Sequence, residues 1–270
     1  MTKVPVQSLP GGQPGPPAKV RLLVSVRNLS EAWAAIDGGA DWIDLKEPRA
    51  GALGAVDPNT VRRVVGALGG KRPLSAAAGE MRDLWRDGRL LWEPVDVPAI
   101  IKVGLAGCGR LSDWQLQWQQ LHEFLAARGQ KMVAVAYADA SWADAPRVAD
   151  VIQQAVQSHC PYLLIDTYGK RGTSTPSAGH LLHFLASAKL ADHLATAREA
   201  GLQSVIAGGL TAAELPHLPW RWIDVIGIRG AATSGSRTSR VTSAKVAGFR
   251  AALDRVSGRD SLTPLSGRRY

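Results

Sequence analysis

Gly38-Gly39-Ala40-Asp41-Trp42-Ile43-Asp44-Leu45-Lys46-Glu47-Pro48 is the stretch that decides how this chain is read. The glycine pair ends a helical segment, and the apolar run that restarts at Ala40-Asp41 has the length of a strand. In a strand, residues two apart point the same way, so Asp44 and Lys46 project together. If the strand is buried, neither charge is tolerable without a partner or a purpose. A buried lysine loses its proton easily and can then attack a carbonyl. The stretch predicts a strand that delivers amine-based carbonyl chemistry from its end.

Outward from it, apolar runs of strand length recur at 21–26, 42–46, 74–78, 100–105, 132–137, 162–167, 204–207 and 223–228. Helical stretches alternate with them at 30–38, 58–68, 114–128, 143–158, 178–200, 212–218 and 243–256, and the link over 82–97 is the least regular. Ser30 and Thr211 read as N-caps, and Asp57-Pro58 as a cap followed by a proline at the first helical position. Strand, loop and helix repeat in the order expected of an α/β fold, a single (β/α)8 TIM barrel. An open doubly wound sheet is the competitor, and the lack of a Gly-x-Gly-x-x-Gly turn favours the barrel. The expected organisation is a disordered Pro/Gly-rich leader over 1–18, a barrel catalytic domain over 19–258 and a tail over 259–270.

Of the 270 residues, 46% are hydrophobic, enough for a sizeable core, and no apolar run is long enough to span a membrane. The leader lacks a signal peptide's apolar region, and Cys108 and Cys160 are too few for a disulfide framework, so a reduced, cytoplasmic protein is expected. The net charge of +9 suits anionic metabolites, nucleic acid, or a general preference for arginine. The basic residues are dispersed and carry no interleaved aromatics, so neither nucleic acid nor membrane is the expected partner. Exposed tryptophans such as Trp85 or Trp92 are compatible with a homo-oligomer.

Barrel active sites lie at the C-terminal strand ends. Those ends carry Asp44 and Lys46, Lys102 inside Ile100-Ile101-Lys102-Val103-Gly104-Leu105, Tyr137-Ala138-Asp139, and Asp166 followed by Lys170. Each alone has a bland reading as an edge lysine, a cap or a turn residue. Their coincidence inside apolar strands points to a site, because each uncompensated charge in a barrel costs several kcal/mol. Gly208-Gly209 and Arg229-Gly230 fall where barrels build phosphate sites, with Ser234, Ser236 and Arg237 on a polar loop beside them. His159, His180, His183 and His193 read as surface residues, and no metal set is formed.

The segments Leu23-Val24-Ser25-Val26, Gly38 to Pro48, Gly51-Ala52-Leu53-Gly54, Ile101-Lys102-Val103-Gly104-Leu105, Tyr137-Ala138-Asp139 and Asp166-Thr167 with Lys170 resemble the (5-formylfuran-3-yl)methyl phosphate synthase family. The resemblance implies a (β/α)8 barrel that joins two glyceraldehyde 3-phosphate molecules, with loss of phosphate and water. The implied product is 4-(hydroxymethyl)-2-furancarboxaldehyde phosphate, a precursor of methanofuran and its bacterial analogue, made without metal or organic cofactor. It further implies that Lys46 is the Schiff-base lysine and Lys102 the proton-transferring one, with Asp44, Asp166 and Lys170 lining the same pocket. Asp44 is expected to orient Lys46, and Gly208, Gly209, Arg229, Gly230 and Asp139 to bind substrate or phosphate. A Schiff-base aldolase acting on another phosphorylated sugar is the nearest alternative, and a non-catalytic anion-binding barrel a more distant one. The leader and the segment 171–200 depart from the compact family pattern, and 171–175 reads as either a lid or a solvated loop.

Overall fold

The computed structural model describes residues 19–68, 70–87, 98–169 and 179–257. The expected leader and tail, Lys170, the loop after it and Trp92 lie outside the described residues, as does the side chain of Trp85.

The strands are β1 (Arg21–Val26), β2 (Trp42–Leu45), β3 (Leu74–Glu80), β4 (Ile100–Gly104), β5 (Lys131–Tyr137), β6 (Tyr162–Asp166), β7 (Gln203–Ile206) and β8 (Val225–Ile228). They form a closed parallel barrel in sequence order, sealed by β1 against β8 from Arg21↔Val225 to Val24↔Ile228. The period of two in each strand sorts its side chains into two apolar clusters. Leu23, Trp42, Ala77, Val135, Leu164 and Val205 belong to the inner cluster. Leu22, Val24, Ile43, Leu45, Ile101 and Val103 belong to the outer one, together with helix residues. The Asp44 and Lys46 face is therefore the interior face.

The outer layer is built from α1 (Leu29–Asp37), α2 (Pro58–Leu68), α3 (Met81–Asp87), α4 (Trp114–Ala126), α5 (Ala140–Ala143), α6 (Val148–Gln157), α7 (Leu181–Phe184), α8 (Ser187–Glu199) and α9 (Ser243–Ser257). Several boundaries differ from expectation for local reasons. Asn28, not Ser30, caps α1, its side chain accepting the Glu31 N–H at 3.0 Å. The helix expected over 143–158 breaks at Asp144, whose φ is +46°, ahead of Pro146, which disfavours helical geometry in the residue before it. The stretch expected over 178–200 divides into α7 and α8. Over 212–218 only a 3-10 turn, Leu215–His217, forms around Pro216, and Thr211 bonds to Glu214 instead of capping an α-helix. Among the described residues no helix is long and apolar enough to cross a membrane.

The end of α1 meets α9 at Gly38, where a Cβ would lie 2.5 Å from Val246 Cβ and 2.6 Å from the Ser243 carbonyl oxygen. Gly38→Ala must push two backbones apart, and a loss of about 1–3 kcal/mol is expected, read as a lower thermal midpoint. Gly66→Ala in α2, where a Cβ meets nothing within 4 Å, serves as the control and should hold or raise that midpoint.

Candidate active site

Strand register brings four polar residues into one interior layer. Ser25 pairs in register with Asp44, and Asp44 with Ser75, while Lys102 lies beside Ala77 on the next strand pair. Asp44 is fully buried, and its carboxylate is saturated from three sides. It accepts from Ser25 Oγ at 2.8 Å and Ser75 Oγ at 2.7 Å, and Lys102 Nζ stands 2.5 Å away. The expectation that Asp44 orients Lys46 gives way, because its ion pair is with Lys102. Lys46, two residues further up the strand, projects above that layer and meets Asp166 from across the barrel, Nζ to Oδ2 3.8 Å. Asp166 is itself fixed by the Thr167 N–H, which donates to Oδ1 at 2.7 Å. Two buried amines each face their own carboxylate, which is the compensation that charge burial demands.

Lys46, Lys102 and Asp166 line a cavity of about 560 Å³ at the C-terminal mouth of the barrel, a size suited to small-molecule ligands. Its opposite wall is made by Gly208, Gly209, Gly230, Ser236 and Arg237. Gly208 and Gly209 have φ of +108° and +69°, left-handed values that glycine adopts without penalty. A Cβ on Gly208 would fall 3.1 Å from Thr167 Cγ2, so glycine also permits the close approach of this turn to β6. The wall presents bare backbone to the cavity, as anion cradles do.

Arg229 lines the cavity where the sequence places it, and its hydrogen bonds run to the protein. Its guanidinium has five N–H groups, and all are committed to protein acceptors. Nε donates to Arg237 O at 2.9 Å and Nη1 to Ser25 O at 2.9 Å and Glu31 Oε2 at 2.6 Å, while Nη2 donates to Glu31 Oε1 at 3.4 Å and Ser239 O at 3.0 Å. Arg229 thus shapes the loop that carries Ser236 and Arg237, and both arginines line the cavity. Asp139 likewise serves the scaffold, accepting the Tyr168 and Gly169 N–H groups at 2.8 and 2.7 Å and so holding the turn after β6.

Two groups escaped the sequence reading. Glu80 ends β3 after an irregularity at Gly79, whose φ is +100°, and it accepts from Tyr137 Oη at 2.7 Å and the Ala106 N–H at 2.9 Å. Burial raises the Glu80 carboxyl above its ordinary value and pushes the Tyr137 phenol well above 10, Glu80 adding to the latter. Gly104 makes room for the pair, since a Cβ there would collide with both. The Gly79-Glu80 pair at a strand end was the available signal. His180, expected on the surface, lines the cavity.

Burial opposes the charge on Glu31, but hydrogen bonds from Arg229 and Arg27 outweigh it and hold the carboxyl below its ordinary 4.5. A depressed carboxylate stabilises the fold fully above its unfolded value and loses that contribution as pH falls through the lowered one. Arg229→Ala strips this buried acid of its main partner and should cost about 3–5 kcal/mol in urea unfolding at pH 7. The deficit should shrink on acidification below pH 4.5, where Glu31 takes up a proton.

The family model described as 4-HFC-P synthase matches residues 22–250. The (5-formylfuran-3-yl)methyl phosphate synthase of Methanothermobacter thermautotrophicus is 32% identical over 219 residues, covering 79% of this chain and 89% of that protein. The enzyme of that name from Methanosarcina barkeri is 31% identical over 231 residues, covering 82% and 94%. A Methylorubrum extorquens protein provisionally assigned the same name is 32% identical over 248 residues, covering 87% and 95%. Among solved structures, 3-hexulose-6-phosphate synthase superposes with a TM-score of 0.57 at 16% identity, covering 86% of this chain and 99% of that one, a likeness of fold alone. A family match over nearly the whole barrel, joined to buried lysines at the strand ends, places the chain: it belongs to the 4-HFC-P synthase family and is an enzyme of that family.

Proposed function

We propose that this enzyme condenses two molecules of glyceraldehyde 3-phosphate to 4-(hydroxymethyl)-2-furancarboxaldehyde phosphate, with loss of phosphate and water, in the formation of a methanofuran-type one-carbon carrier. The observation that carries this reading is the pair of buried amines, Lys46 and Lys102, each beside its own aspartate on the floor of a glycine-walled cavity. The names of the relatives support the product.

Lys46 is the nucleophile. Asp166, whose Oδ2 is 3.8 Å from the Lys46 Nζ, is placed to receive its proton. The free amine adds to the aldehyde of one triose phosphate, and loss of water leaves a protonated imine that withdraws electrons from the adjacent carbon. Lys102, held by Asp44, is the candidate for moving the proton at that carbon, giving an enamine. The enamine expels phosphate from its β carbon, leaving an unsaturated imine, and the enol of the second triose adds through its carbon 2 to that β carbon. Ring closure onto the aldehyde of the second triose, loss of two waters and hydrolysis of the imine release an aromatic furan, which draws the sequence forward. Asp166, once protonated, can return its proton to a departing hydroxyl. The scheme requires no metal or organic cofactor.

Lys46→Ala should abolish turnover, and Lys46→Arg should not restore it, because a guanidinium forms no imine. Borohydride added with glyceraldehyde 3-phosphate should leave its mass on the peptide bearing Lys46, and a label on Lys102 instead would exchange the roles of the two lysines. Incubation with the triose should release phosphate in step with a new near-ultraviolet absorption. A simple aldol product without that absorption would make the enzyme a Schiff-base aldolase acting on phosphorylated sugars.

A further inference from the structure

His180 stands at the edge of the cavity on a segment stitched to two strand ends. The Leu181 N–H donates to Gly208 O at 2.7 Å, and Thr167 Oγ1 donates to Gly179 O at 3.2 Å. A Cβ on Gly209 would lie 3.4 Å from His180 Cα, so the glycine turn passes directly against the histidine backbone. His180 therefore stands beside Gly209 and lines the same cavity as Lys46.

The two ring nitrogens are not equivalent. Nδ1 is shut away from solvent and has no hydrogen-bond partner among the described residues. A buried N–H without an acceptor is rarer and costlier than a bare lone pair, so the neutral ring carries its proton on Nε2. That leaves Nε2–H as a donor without an assigned acceptor, on a ring that lines the cavity. The titratable groups around it are His183 of the adjoining helix α7, with ring centroids 6.5 Å apart, and Glu214 from the turn after β7. Burial works against the charge of Glu214, but hydrogen bonds from Thr211 outweigh it and hold its carboxyl below the ordinary value. Its Oε2 already accepts from Thr211 N and Oγ1, both at 2.7 Å.

We propose that His180 is a substrate-contacting residue whose Nε2–H donates to the phosphate group of a phosphorylated substrate seated over Gly208 and Gly209. The inference rests on the phosphorylated-substrate reading above and adds a donor to the glycine wall. It assigns His180 binding and orientation of the phosphate, with no proton transferred.

The test uses the full chain with 15N-labelled histidine, observed by NMR as inorganic phosphate is added, the His180 signals being assigned by their loss in His180→Gln. The expected result is an Nε2–H tautomer whose resonances move with saturation by phosphate. In turnover, His180→Ala should raise KM for glyceraldehyde 3-phosphate by about 10- to 100-fold with kcat little changed. His180→Gln, whose amide can donate, should recover part of that loss. Unmoved His180 resonances, an Nδ1–H tautomer, or an unchanged KM in the alanine variant would each overturn the proposal. If phosphate moves the His180 signals but no furan forms from the triose, the phosphate contact stands and the assigned reaction falls.

Discussion

The carboxylate of Asp44 has no access to water, and the inside of this barrel is organised around that fact. A buried carboxylate is tolerable only with its lone pairs filled, and two serine hydroxyls and one ammonium fill them. Ser25, Asp44, Ser75 and Lys102 come from four consecutive strands, so the register of β1 to β4 is tied to the polar layer. A one-residue slip of any of these strands would turn its polar member outward into the aliphatic layer under the helices. Fold and chemistry thus share one constraint.

Around that layer the molecule separates holding from reacting. Arg229, Asp139 and Glu80 are polar and sit at strand ends where ligands are usually met, yet their hydrogen bonds go to loops. Arg229 carries the β8 loop, Asp139 the turn after β6, and Glu80 the backbone beyond β4 through Ala106. Arg229 also lines the cavity, alongside Lys46, Lys102, Asp166, His180, Arg237 and the glycine wall. Rigid support behind a small reactive set is how a site keeps its geometry without its substrate.

The strands were legible in the sequence almost residue for residue, because apolar runs between glycine and proline signals leave little choice of period. The helices were less so. A broken segment such as 140–157 keeps a continuous helical pattern while Asp144 and Pro146 interrupt its backbone. In the site, Lys46, Lys102 and Asp166 stood out as charges within apolar strands. Their pairing did not, because which carboxylate meets which amine depends on stagger between strands that are distant in sequence. The anchoring of Arg229 was hidden for a related reason: its partner Glu31 is 198 residues away, and no local pattern links them. His180 fell in a stretch expected to be helical and was read as a surface residue, and only the fold puts it beside Gly209.

The two ion pairs also differ in where along the chain they close. Every group around Asp44 belongs to the first four strands, so an N-terminal half-barrel leaving the ribosome can already satisfy its deepest charge. Lys46 must wait for Asp166 on the sixth strand, and Glu31 for Arg229 just past the eighth. The order of synthesis thus becomes an order of electrostatic completion, with the deeper pair made first and Lys46 matched later. A nascent chain brings Lys46 and Asp166 together only once its second half has docked.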